Sequence, residues 1–338
     1  MNEIISLKID NEEVLCAELT SRENLEVIAV CESGNIVLFD CETKKNKMFN
    51  KLSFNPYQLN LQIHCYQNYV AIVQKNGTCG MVINLADKDY QKILKRGDYC
   101  AQVSIFPIAF YSKENQTFLI HGTDWNRLDI TCLESDELLT NRTIDYDSDS
   151  NYLDYFHSSI TVSPDAIYFV SNGWIWHPCG QLTFYSIDDF LKKFELSHQN
   201  IYLADKFLSF DWDRPLCWIN KTTLAIGFSR NTESYGETKF PNELLFVNIL
   251  KNKIVNRIEF DGFAITDQGD VSGELFYDSE KAQLIGLNNK TGVHISDFQG
   301  NEVYKNSSFT SHKYSPKHKF FYKIGKKNQT VEFEKILI

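Results

Sequence analysis

The chain has 338 residues, 43% apolar and 23% charged, an ordinary globular composition whose length permits one large all-β domain or two smaller ones. Its 34 basic and 44 acidic side chains leave a net charge of −10, which repels polyanions such as duplex DNA, so no nucleic-acid partner is expected. The 24 Phe, 17 Tyr and 5 Trp favour strands.

From the start, MNEIISLKIDNEE has no basic head followed by an apolar core and a small-residue cleavage site, so no secretory signal is expected. No apolar run approaches the roughly 20 residues that span a bilayer, and no membrane association is expected. Residues 4–9 read as a spare strand. Apolar runs at 25–31 and 36–40 flank a Ser33-Gly34-Asn35 turn, and runs at 69–74 and 78–85 flank Lys75-Asn76-Gly77. Further along, runs at 282–287 and 293–297 flank 288–292. Each is a β-hairpin around a Gly/Asn turn. Before such hairpins stands a run ending in a polar turn: AFYSKEN from Ala109, ITVSPD from Ile160, LFYDSE from Leu275 and HKYSPKH from His312. One short helix is predicted over 188–194, with Ser186 as its cap and Asp189 completing a capping box.

Laid end to end, these units recur about every 40 to 50 residues with four strands in each, the period of propeller blades. Blades start near Asn11, Pro56, Tyr99, Asn151, Asn200, Phe260 and Ser307, and the last offers only three strands. The spare N-terminal strand is expected to complete it, because closure removes two open sheet edges. The reading is a single all-β propeller domain over 1–338, with seven four-stranded blades; six or eight blades and a pair of β-sandwiches are the alternatives. No Pro/Gly/Ser-rich linker divides the chain.

Neighbouring strands run antiparallel, so the turns between second and third strands share one face with the links between blades. On that face the sequence places HGTDWN (121–126), SNGWIWHPCG (171–180), SRNTESYGETKFPN (229–242), DYDSDSNYLDYFH (145–157), a segment with SFDWDR (209–214) and DGFAITDQGD (261–270) as long loops. Long loops in a compact domain are more often functional than idle. The candidate site residues are therefore His121, Asp124, Trp125, Arg127, Asp154, Tyr155, His157, Trp174, Trp176, His177, Asp211 and Trp212.

Tryptophans beside a histidine could grip a sugar, a cation or a peptide side chain, or simply cover a blade edge. His121, His157 and His177 could meet around a metal, but nothing fixes their spacing, so no metal or cofactor is expected. Asp124 and Asp154 could pair for acid–base work on a glycoside. No GxSxG elbow and no phosphate-cradling glycine loop is present. Nine scattered cysteines without a CxxC pair fit a reduced, cytoplasmic protein and speak against zinc.

HGTDWNRLDI, followed by YFHSSITVSPDAIYFVSNGWIWHPCGQLTFYSIDDFL, resembles a group of functionally uncharacterised bacterial WD40-like β-propeller proteins. The resemblance is close over residues 118–191, and the Ser163-Pro164-Asp165 turn resembles the turn after the first strand of those repeats. Here Ala166 stands where they usually carry Gly, and the Gly-His and Trp-Asp signatures of eukaryotic repeats are missing. The resemblance implies the fold and brings no activity. Two functions are carried forward. One is a non-enzymatic propeller that binds a protein or peptide partner through the loop-rich face of blades three to six, anchored by Trp125, Trp174, Trp176 and Trp212. The other is a hydrolase or lyase with a polar pocket at the channel mouth, served by Asp124, Arg127, Asp154, His157 and His177.

Overall fold

The computed structural model describes residues 3–8, 12–57, 59–142, 153–176, 178–203, 208–209, 212–229, 242–265, 271–310, 313–327 and 330–336. Apart from one α-helix, Ile187–Lys193, and two short 3-10 turns, the described elements are strands. All neighbouring strands pair antiparallel.

Contacts divide the chain into two compact units, residues 1–106 with 312–338 and residues 107–311. In the first, Val14–Leu19, Glu26–Cys31, Asn35–Asp40 and Lys45–Lys51 make one sheet. A second consists of Leu61–Tyr66, Tyr69–Gln74, Cys79–Asn84 and Gln91–Lys95. In the third, Lys313–Ser315, Phe320–Lys327 and Thr330–Ile336 are joined by Glu3–Lys8. That N-terminal strand lies along Thr330–Ile336 from Glu3↔Lys335 to Lys8↔Thr330, so it completes the C-terminal sheet as the sequence leads one to expect.

The second unit holds sheets over 108–138, 156–209, 216–259 and 274–306. The second of these has five strands: Phe156–Val162, Tyr168–Ile175, Cys179–Ser186 and Gln199–Ile201 in order, with Leu208–Ser209 also pairing Cys179–Ser186. A two-stranded ribbon, Ala264–Ile265 with Val271–Ser272, stands before the 274–306 sheet. The expected blade starts fall 3 to 16 residues ahead of the observed first strands.

Burial explains why the hairpins were legible. Middle strands such as EVIAVC (Glu26–Cys31) and YVAIVQ (Tyr69–Gln74) are buried on both faces, so they read as continuous apolar runs. They are covered because sheets stack face to face within each unit. One core joins Val27, Ala29 and Phe39 to Phe320 and Tyr322, and another joins Ile28 and Leu38 to Val70 and Ile83. In the second unit, cores join Ile120 and Ile130 to Phe169 and Tyr185, Val170 and Phe184 to Ile226 and Leu245, and Phe246 and Phe260 to Leu275 and Leu284. Outer strands, such as KNKMFNK (Lys45–Lys51), are mostly exposed and rich in lysine, which discourages pairing with another chain.

The helix forms as expected: Ser186 Oγ accepts the Asp189 N–H at 3.4 Å, and Lys192 and Lys193 close its last turn. Two loop expectations are corrected. HGTDWN is not a long loop, since Gln116–Asp124 and Arg127–Cys132 are paired strands that leave Trp125-Asn126 as a tight turn. Likewise Tyr168–Ile175 and Cys179–Ser186 stay paired to Ile175↔Cys179. Polar letters inside both stretches masked strands because neighbouring sheets cover them; His121 is 6% exposed and Asn172 2%. DGFAITDQGD is partly the two-stranded ribbon, with Phe263 and Val271 buried. Residues 145–152, 230–241 and 266–270 of the expected loops lie outside the described residues.

Candidate functional site

At the turn end of the 108–138 and 156–209 sheets, the second unit gathers the expected tryptophans around a residue the sequence reading passed over. Phe156 lies parallel to Trp174, with ring centres 3.7 Å apart and planes at 4°. Trp125 tilts against Phe156 from the neighbouring hairpin turn at 4.4 Å. Trp176 meets Phe156 edge-on at 5.4 Å and Trp174 edge-on at 5.6 Å, and Trp212 leans on Trp174 at 5.5 Å. Strand pairing explains this: Phe156 and Trp174 are cross-strand partners, and Trp176 follows two residues later on the same face.

Exposure divides the cluster. Phe156 is 1% exposed and Trp174 2%, so Trp174 is a core residue, not the exposed anchor expected of it. Trp176 is 44% exposed, while Trp125 and Trp212 are half-buried. The backbone makes room at Gly173, where a Cβ would sit 2.0 Å from the Phe156 carbonyl oxygen. The Tyr155 hydroxyl receives the Gly173 N–H at 2.7 Å and faces the Ser171 and Gln181 carbonyls, each at 2.9 Å. Tyr155 is fully buried, and that burial pushes its phenol up to about 12. It braces the sheet and has no opening to a ligand.

His157 has the same fate. Its backbone N–H donates to the Trp125 carbonyl at 3.0 Å, stitching the two sheets together, and its Nδ1 shares a hydrogen bond with Ser171 Oγ at 3.0 Å. Burial, with the charges of His198 and Arg142 adding, pushes the ring down to about 3. The imidazole is neutral across the physiological range and sealed from solvent at 1% exposure, a poor general base. His121 Nε2 lies 3.3 Å from Thr131 Oγ1 within its own sheet. Among the described residues no group of three or more His, Cys, Asp or Glu could hold a metal ion.

The remaining polar candidates are placed as follows. Asp124 Oδ1 accepts the Trp125 N–H at 2.8 Å, and Asp154 is exposed. Arg127 turns to Asp129, with Nε 2.9 Å from one carboxylate oxygen and Nη2 3.3 Å from the other. His177 and Asp211 lie outside the described residues.

Sequence reasoning missed the buried ionic network beneath the turn. Asp129, 2% exposed, accepts from Thr123 at 2.6 Å, Thr140 at 2.7 Å and Arg142 Nη1 at 2.9 Å. Arg142 Nη2 reaches both Glu195 oxygens at 2.7 Å and stacks over Phe194 at 4.2 Å. Glu195 also accepts the Leu128 N–H at 2.8 Å; burial raises its pKa and Arg142 opposes the rise. Also missed was Asp213, whose carboxylate takes Ser158 Oγ at 2.8 Å and the Ser159 N–H at 3.0 Å and so straps the 212–214 link onto the 156–209 sheet. Asp213 sits at a positive φ of 56°, which Asp tolerates better than most residues, and the letters DWDR do not reveal it.

The sheets and their shared cores define an all-β protein of β-propeller type. Among solved structures the chain is similar to that titled "Structure of U3-55K", a WD40 β-propeller protein, with a TM-score of 0.57 over 99% of this chain and 98% of that one. At 9% identity the likeness concerns the fold alone. No protein-family model matches the sequence. No curated protein matches it either. No helix among the described residues is long and apolar enough to cross a membrane.

Proposed function

We propose that the chain is one seven-bladed propeller that binds a protein or peptide partner without catalysis, using the aromatic end of the second unit. The observation that carries this is the Trp125–Phe156–Trp174–Trp176–Trp212 cluster, in which a rigid buried pair supports an indole that is 44% exposed. Exposed tryptophan on a rigid base is the usual anchor of protein interfaces. Placement of His157 out of solvent and of Arg127 against Asp129 weighs against the hydrolase or lyase reading. Among the described residues seven sheets of four or more strands support the blade number, and all nine cysteines, free in the structure, support a reducing cytoplasmic compartment.

The test is affinity capture with wild type and Trp176→Ala. Trp174 is unsuitable because its replacement would open the core. The reading expects a specific partner to be retained by wild type and lost from the variant at equal protein and equal thermal stability. Unchanged recovery on Trp176→Ala would reject this surface.

A further inference from the structure

The exposed corner of the aromatic cluster has a defined electrostatic character. Trp176 stands at 86° to Phe156 and 89° to Trp174, so its indole forms a wall perpendicular to their stack. Indole faces carry negative electrostatic potential and attract cations. A carboxylate of the same sign sits at the cluster: Asp124, whose Oδ1 accepts the Trp125 N–H at 2.8 Å; exposed Asp154 stands two residues before Phe156 in the chain. The neighbouring guanidinium of Arg127 is offset by Asp129 through contacts of 2.9 and 3.3 Å. The chain's net charge of −10 adds long-range attraction for a basic partner.

We propose that the Trp176 corner receives a lysine or arginine side chain from a basic segment of the partner, the cation resting on the indole face. This rests on the reading of the cluster as a partner-binding surface and names the chemistry it recognises. A neutral aliphatic chain would gain apolar contact there but nothing from the ring quadrupole or the carboxylates.

The experiment is calorimetric titration of the full chain with acetyl-trilysine amide and its uncharged counterpart acetyl-trinorleucine amide, on wild type and Trp176→Leu. Leucine keeps an apolar side chain and removes the aromatic face, and the substitution leaves net charge unchanged. The thermal midpoint of each protein confirms folding. The proposal expects trilysine to bind wild type at least about five-fold more tightly than trinorleucine, and to weaken about five-fold on Trp176→Leu. No binding of trilysine, equal affinity for both peptides, or trilysine affinity unchanged on Trp176→Leu would overturn it. If both peptides bind equally and both are lost on Trp176→Leu, the cation falls but the partner-binding surface stands. If partner capture is also indifferent to Trp176, both fall.

Discussion

His157 in the second unit and His64 in the first are held as neutral imidazoles, by burial to about 3 and about 4, with Lys313 contributing at His64. In the unfolded chain both return to the ordinary value of 6.5, so acid protonates the unfolded state first. Stability is therefore whole above about pH 6.5 and falls as pH drops toward 4 and 3, each histidine costing about 2 kcal/mol by pH 5. Urea titrations at pH 7 and pH 5 should show this loss, and His157→Gln should flatten the slope by close to one proton. An unchanged slope would mean that His157 is hydrated in the folded protein. Ala166 gives a second prediction. It sits at φ 54° in the Ser163–Asp165 turn, where Ser163 Oγ accepts the Tyr168 N–H at 2.9 Å. The WD40-like repeats that this stretch resembles usually carry glycine here; the reason is the left-handed backbone, which a Cβ disfavours. Ala166→Gly should raise stability by about 0.5–1 kcal/mol in the same urea assay, part of the strain relief being offset by a looser unfolded chain. Ala282, at φ 52° in the corresponding turn of the 274–306 sheet, should respond alike.

Strands were legible where both faces are apolar, and blurred where a buried strand carries polar letters. Alternation and Gly/Asn turns located Glu26–Cys31 and Asn35–Asp40 to within one residue at each end. The same reasoning ended the Gln116–Asp124 strand too early, because His121 and Asp124 look like loop residues until His121 is seen in register with Asp129 and against Thr131. Four tryptophans of the candidate site were named from sequence, but Phe156, which three of them meet, was not. Contact across sheets depends on register, and composition carries no trace of it. Gly173→Ala tests the close approach directly: a Cβ would meet the Phe156 carbonyl at 2.0 Å and the Tyr155 hydroxyl at 2.8 Å. The variant should lose about 2–3 kcal/mol of stability and much of its near-ultraviolet aromatic circular dichroism. A loss below about 0.5 kcal/mol would show that the strands part easily there.

For the molecule as a whole, pairing of Glu3–Lys8 with Thr330–Ile336 joins residues more than 300 positions apart in sequence. Around that seam Glu18 accepts from Lys313 and Tyr322, and Glu23 pairs with Lys317. Deleting residues 1–8 leaves Thr330–Ile336 as an open edge, so the truncated chain should associate on size-exclusion chromatography where the full chain does not. The fold class was readable because repetition displays it many times over; partner identity was not, because it rests on one surface whose chemistry appears once. The most direct measurement of the central claim is the affinity of the captured partner for wild type, Trp176→Ala and Met48→Ala, the last removing a side chain 58% exposed on an outer strand of the first unit. Trp176→Ala should weaken binding at least about thirty-fold, and Met48→Ala should leave it unchanged. Equal affinities for wild type and Trp176→Ala, or a loss confined to Met48→Ala, would contradict the account.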